Sequence, residues 1–190
     1  MTRINTLLAK YLLKKEVITK KDKEVYEYGI TLLLEKVISI MICMYIAYRF
    51  DMIVEAMVFG LFFVPLRSYA GGLHLEKYFS CLLLSCLSFS FILIMAKYIK
   101  MPALISFIVS FLSLYFIYIL YPVENRNRII DEVENDFFRK KLRRYIIADA
   151  VFVSIVFSGK CNRYLFLITE TLLLIVITMI LGKIKNREEL

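Results

Sequence analysis

The 190-residue chain has one histidine, four cysteines, six glycines, three prolines and no tryptophan. These scarcities exclude several chemistries. With His74 as the sole imidazole and no HExxH pattern, zinc would lack nitrogen ligands, so neither a metal site nor a cofactor is expected. There is no Walker A loop and no GxSxG elbow, which leaves ATP-driven transport and serine hydrolysis without support. Cys43, Cys81, Cys86 and Cys161 show no CxxC spacing, and three of them lie inside or at the ends of apolar runs, so a disulfide framework is not expected. The first 29 residues are charged and precede the first long apolar run, which argues against a cleavable leader.

What the chain does have is apolar length. Hydrophobic residues make up 60% of it, well above the roughly 45–50% of soluble domains. Six apolar segments can be read, at about 30–48, 52–66, 79–96, 101–121, 145–158 and 164–182. A helical span needs about 20 residues, so the first, third, fourth and sixth qualify outright. The segments 52–66 and 145–158 are short, either transmembrane or re-entrant. The fold class is therefore an all-α polytopic helical bundle in a membrane, forming one integral domain over residues 1–190.

The net charge of +8 could suggest nucleic acid, but in such a chain the position of each Lys and Arg matters first. Residues 1–29, 67–77, 126–144 and 183–187 hold 19 of the 25 basic residues. If all six segments cross, these stretches share one side. By the positive-inside rule that side is the cytoplasm, and both termini lie there. The expected partners are thus a lipid bilayer and no nucleic acid.

Residues 4–12 place Ile4, Leu7, Leu8, Tyr11 and Leu12 at helical spacing, as in an amphipathic helix lying in the interface. Pro65 discourages a straight continuation of the second segment. Segment three carries Cys81, Ser85, Cys86, Ser88 and Ser90, small residues that favour close helix approach and make it the expected tightest-packed helix. The loop 123–144 is polar and basic, and its run Arg139-Lys140-Lys141-Leu142-Arg143-Arg144 fits a surface helix on anionic lipid.

The residues that suggest chemistry fall in one stretch, 67–81. A cysteine acts as a nucleophile through its thiolate, which a neighbouring imidazole can generate, and His74 and Cys81 alone can supply that pair. On a continuous helix they would share a face but sit about 10.5 Å apart. The backbone must bend, and Gly71-Gly72 provides positions where unusual dihedrals are cheap. Alternatively the two act across a homodimer interface. Cys81 would then lie in the first turn of the following helix, whose dipole favours a thiolate. Taken singly, His74 reads as a surface residue and Cys81 as a small buried one. Their joint occurrence with the glycine pair and Arg67 is what suggests a function.

The pattern R-x(4)-G-x-H-x(6)-C, as Arg67, Gly72, His74 and Cys81, resembles the accessory gene regulator B (AgrB) family. Tyr28-Gly29, the stretch Tyr121-Pro122-Val123-Glu124-Asn125-Arg126-Asn127-Arg128 and the overall length resemble it too. The resemblance implies a membrane cysteine endopeptidase, a thiol protease that matures a quorum-sensing propeptide of the AgrD type. Such an enzyme removes the propeptide's C-terminal tail and promotes cyclisation to a thiolactone or lactone autoinducing peptide. It also implies Cys81 as nucleophile and His74 as general base, with Arg67 and Gly72 as candidates for substrate or oxyanion contacts.

Glu76, Glu35, Asp149 and Glu170 are candidates for a third, orienting group, since ionisable residues within spans are functional suspects. The competing reading is a non-catalytic peptide exporter, with Glu55, Asp149 and Glu170 along its pathway.

Overall fold

The computed structural model describes residue 13 and residues 23–73, 78–123 and 132–188. Among the described residues six helices carry the fold: α1 (Lys23–Phe50), α2 (Ile53–Ala70), α3 (Tyr78–Tyr98), α4 (Ala103–Leu120), α5 (Glu132–Ser158) and α6 (Asn162–Glu188). No strand occurs among the described residues. The interfacial helix expected at 4–12 lies outside them.

Residues 1–45 and 46–190 form two compact units. In the first, α1 exposes Leu33, Met41 and Tyr45, while Thr31 and Ser39 donate to the carbonyls of Glu27 and Glu35 one turn back. Within lipid these two hydroxyls are thus satisfied by the helix itself. Among the described residues five helices (α1 from Val25, α2, α3, α4 and α6) are long and apolar enough to cross a membrane, so the chain is an all-α, multi-pass membrane protein.

In the second unit α6 is the centre. It packs against α2, α3, α4 and α5, and its apolar window is 61% buried against 22–28% for α2, α3 and α4. Leu165, Leu167, Ile168, Leu172, Ile175 and Met179 have no exposed surface. Ser106, Ser110 and Ser113 line one face of α4 and are buried. Ser110 Oγ lies 2.9 Å from Thr169 Oγ1, which donates to Ser106 O at 3.1 Å. Small residues permit close backbone approach, and the hydroxyls bond across it. This corrects the expectation for α3, whose serines and cysteines leave its window only 22% buried. Composition alone does not say which neighbour faces a small residue.

Helix directions follow from side-chain pairs. Thr169 beside Ser106 and Ser110 places the starts of α4 and α6 together, so these helices are parallel. The chain must return between them, and α5 does so. Tyr121 at the end of α4 bonds Asn135 near the start of α5, and Phe107 near the start of α4 meets Phe157 at the end of α5. From Asn135 to Phe157 is about 33 Å at 1.5 Å per residue, so α5 runs back along the full length of α4. The short segment 145–158 is thus the apolar half of a 27-residue helix that runs back between α4 and α6, and it is not among the helices apolar enough throughout to cross a membrane. Residues 132–144, expected as loop or surface helix, are its first half.

The helix α2 runs through Pro65 to Ala70, four residues beyond the expected end. The proline removes one donor, but Leu66 and Ala70 are buried beyond it and keep the last turn packed. Pairs Phe62–Phe152 and Tyr69–Tyr145 set α2 antiparallel to α5, and Phe59–Phe89 with Lys97 Nζ donating to Phe50 O sets it antiparallel to α3. Consequently the ends of α2, α4 and α6 and the starts of α3 and α5 share one end of the bundle. Arg139, Lys140, Lys141, Arg143, Arg144, Lys183, Lys185 and Arg187 all belong to that end.

At the opposite end the turns are tight. Asp51 N–H donates to Tyr48 O and Met52 N–H to Ala47 O, closing α1 with Asp51 at φ 58°. Lys160 and Cys161 repeat the pattern after α5, with Lys160 at φ 54°. Both are Schellman closures, in which a left-handed residue returns two donors to the last helical carbonyls.

Candidate functional site

At the basic end the last turn of α2 delivers Arg67 and Ala70, then Gly71, Gly72 and Leu73. Gly71 has φ 79° and Gly72 φ 141°, conformations that side-chain-bearing residues rarely adopt. A Cβ on Gly71 would collide with the carbonyl oxygen of Val123, whose N–H donates to Ala70 O at 3.3 Å. A Cβ on Gly72 would lie on the Arg67 guanidinium, 2.7 Å from its central carbon. The glycine pair therefore makes room for two specific neighbours.

Arg67 bends back over this space. Its Nη2 donates to Leu73 O, and its Nη1 is buried with no partner among the described residues. Its charge is within electrostatic reach of the Cys81 sulfur. Cys81 itself is half-buried in the first turn of α3, which the antiparallel α2–α3 pairing returns to the level of the last turns of α2. The far wall is α6. Leu73 N–H donates to Thr178 O at 2.8 Å, and one turn on, Gly182 lies so close that a Cβ there would be 2.7 Å from Gly72 C and 2.8 Å from Leu73 N. On the α5 side, Tyr69 stacks on Tyr145 at 5.4 Å between centroids and meets Phe138 at 5.8 Å.

Of the expected site residues, Arg67, Gly72 and Cys81 are gathered here, whereas His74 and Glu76 lie outside the described residues. The other acidic candidates separate. Glu35 belongs to the first unit. Asp149 is 9% exposed, with Oδ2 buried and unpartnered among the described residues, on the face of α5 that carries Tyr145 and Phe152 toward α2. Glu170 lines a groove between α3 and α6. Glu55, a pathway candidate in the exporter reading, is bound to Arg163 at 2.7 Å at the opposite end of the bundle.

Sequence reasoning missed Thr178, Gly182 and Val123, which hold the loop. Gly182 had a signal: a lone glycine inside an apolar helix marks either a weak point or a close approach. Gly60, also mid-helix, has nothing within 4 Å of its missing Cβ, so only the neighbour distinguishes the two cases.

The fold and this gathering define a multi-pass helical membrane protein with a cysteine and a buried arginine at the basic end of its bundle. The chain belongs to the accessory gene regulator B (AgrB) family, whose model matches residues 5–185. No curated protein and no solved structure is matched by the chain. The family is associated with peptidase-like processing of an autoinducer propeptide, which gives the chain a propeptide substrate and a membrane setting.

Proposed function

We propose that the protein is a cysteine endopeptidase that cleaves the C-terminal tail from a short quorum-sensing propeptide and promotes its cyclisation, with Cys81 as nucleophile and His74 as general base. The observation that carries this reading is Arg67: a buried guanidinium bonded to Leu73 O, with Nη1 unpartnered among the described residues, within electrostatic reach of a half-buried thiol in the first turn of α3. Both a cation and a helix N-terminus stabilise an oxyanion that forms there. Leu73, the residue before His74 in the sequence, has both its N–H and its carbonyl engaged.

In the reaction His74 takes the Cys81 proton, and the sulfur attacks the scissile carbonyl. The resulting oxyanion is met by Arg67 Nη1 or by N–H groups of the first turn of α3. His74 then returns the proton to the leaving amine, the C–N bond breaks, and the N-terminal part of the substrate remains as a thioester. A cysteine or serine of the substrate attacks that thioester, forming the ring and regenerating the Cys81 thiol. Thioester exchange is close to energy-neutral and needs no nucleotide; exclusion of water favours the ring over hydrolysis. By the positive-inside rule the basic end faces the cytoplasm, with both termini on that side.

The test is reconstitution with a propeptide of the AgrD type. Cys81→Ser and His74→Ala should each abolish tail release with the protein still folded, and wild-type Cys81 should outpace Cys86 toward a thiol reagent at neutral pH. Normal cyclisation by Cys81→Ser would sink the proposal.

A further inference from the structure

Beyond the reactive end, α3 and α6 enclose a groove of about 370 Å³ lined by Leu87, Ser88 and Phe91 of α3 and Glu170, Leu174 and Ile177 of α6. Its rims face outward: Leu87, Phe91 and Ile177 are 60%, 57% and 51% exposed. Ser88 is two helical turns from Cys81, so the two lie on one stripe of α3. The groove therefore begins nearly two helical turns along α3 from Cys81 and runs on toward the middle of the bundle. Its one charged lining group is Glu170, which makes no hydrogen bond or ion pair among the described residues. A carboxylate at membrane depth is costly and ordinarily pairs with a cation or faces an aqueous path.

We infer that this groove seats an apolar helical segment of the peptide substrate, and that Glu170 pairs with one basic side chain on it. The inference rests on the peptidase reading for the identity of the peptide, and on charge complementarity for its chemistry: an acyl chain fills the apolar walls but leaves the carboxylate unpaired. Geometry sets the spacing. From Cys81 to Ser88 and Phe91 is about 10–15 Å along α3 at 1.5 Å per residue. The basic residue thus stands about seven to ten positions from the cleaved carbonyl if the intervening chain is helical, or about three to five if extended at roughly 3.3 Å per residue. Glu170 acts as a specificity determinant, selecting among apolar peptides by one cation.

The test measures binding without cleavage. Full-length protein in phosphatidylcholine vesicles is titrated with a fluorescent Leu/Ala helix of about 20 residues carrying a single central Lys, and with its Gln twin. Wild type and Cys81→Ser should both prefer the Lys peptide by about tenfold, and Glu170→Gln should bring the ratio to about one. Ser88→Phe, which keeps Glu170 and fills the groove, should weaken both peptides. Equal affinity of wild type for the twins, a preference surviving Glu170→Gln, or unaltered binding by Ser88→Phe overturns the inference. Loss of the preference with propeptide cleavage intact removes the groove and leaves the peptidase. A preference kept by a protein that cleaves nothing removes the peptidase and leaves the groove.

Discussion

Replacing Gly182 by Ala tests whether the wall of α6 holds the reactive loop in place. The new methyl would stand 2.7 Å from Gly72 C, 2.8 Å from Leu73 N and 3.1 Å from Gly72 O, all backbone atoms. Reaching an ordinary contact near 3.4 Å requires a separation of about 0.7 Å, which stretches the 2.8 Å bond from Leu73 N to Thr178 O to the limit of a hydrogen bond at about 3.5 Å. Overpacking costs about 1–3 kcal/mol and a weakened buried hydrogen bond about 1 kcal/mol. Alanine returns about 0.8–1 kcal/mol of helix propensity, so the net effect on stability is a loss of about 1–3 kcal/mol. That loss is local to the loop that carries Arg67's acceptor. Displacement of reacting groups by a sizeable fraction of an ångström can cost up to about 100-fold in rate, so propeptide cleavage should fall about 10- to 100-fold while circular dichroism stays unchanged. Gly60→Ala is the control: with nothing within 4 Å it should be neutral or stabilise by up to about 1 kcal/mol. If Gly182→Ala cleaves as fast as Gly60→Ala, the loop does not depend on this contact and the account of the site is wrong.

Arg67→Lys should reduce kcat for tail release about 10- to 100-fold with little change in KM, since a single ammonium cannot hold Leu73 O and also present a second nitrogen to Cys81. For the Glu55–Arg163 pair, Arg163→Ala should destabilise more than Glu55→Gln. The first strands a carboxylate side chain that is 7% exposed, and the second frees an arginine that is already 51% exposed. Chemical unfolding in detergent micelles reads this order, and equal effects would contradict it. Thr169→Val should cost about 0.6–1.7 kcal/mol by the same assay through loss of the α4–α6 hydroxyl bridge, with cleavage unaffected.

Much of the fold was legible because apolar length and the clustering of basic residues are both written in composition. Five of the six apolar segments became helices that qualify as spans, and the basic stretches that the structure describes beyond residue 66 converge on one end. What was not legible concerned pairing. Segment 145–158 is short as an apolar run, yet its helix continues into charged residues, because the basic first half can project beyond the core. The serines of α3 and α4 are equally small, and only Thr169 opposite Ser110 decides which helix packs tightly. At the site, Gly71-Gly72 was readable as a bend, but Val123 and Gly182, which make the glycines necessary, come from residues 50 or more positions away in the chain. A single sequence carries no trace of such an approach.

The spacing of the connections has a consequence for variation. Helices are joined by two residues after α1, four after α3 and three after α5, all at the end remote from Cys81. The joints on the reactive side are seven and eleven residues long. Insertions of a few residues would break a Schellman closure at the first end but only lengthen a chain path at the second. Homologues that process differently sized peptides should therefore differ in length after α2 and α4, and keep the remote hairpins at constant length.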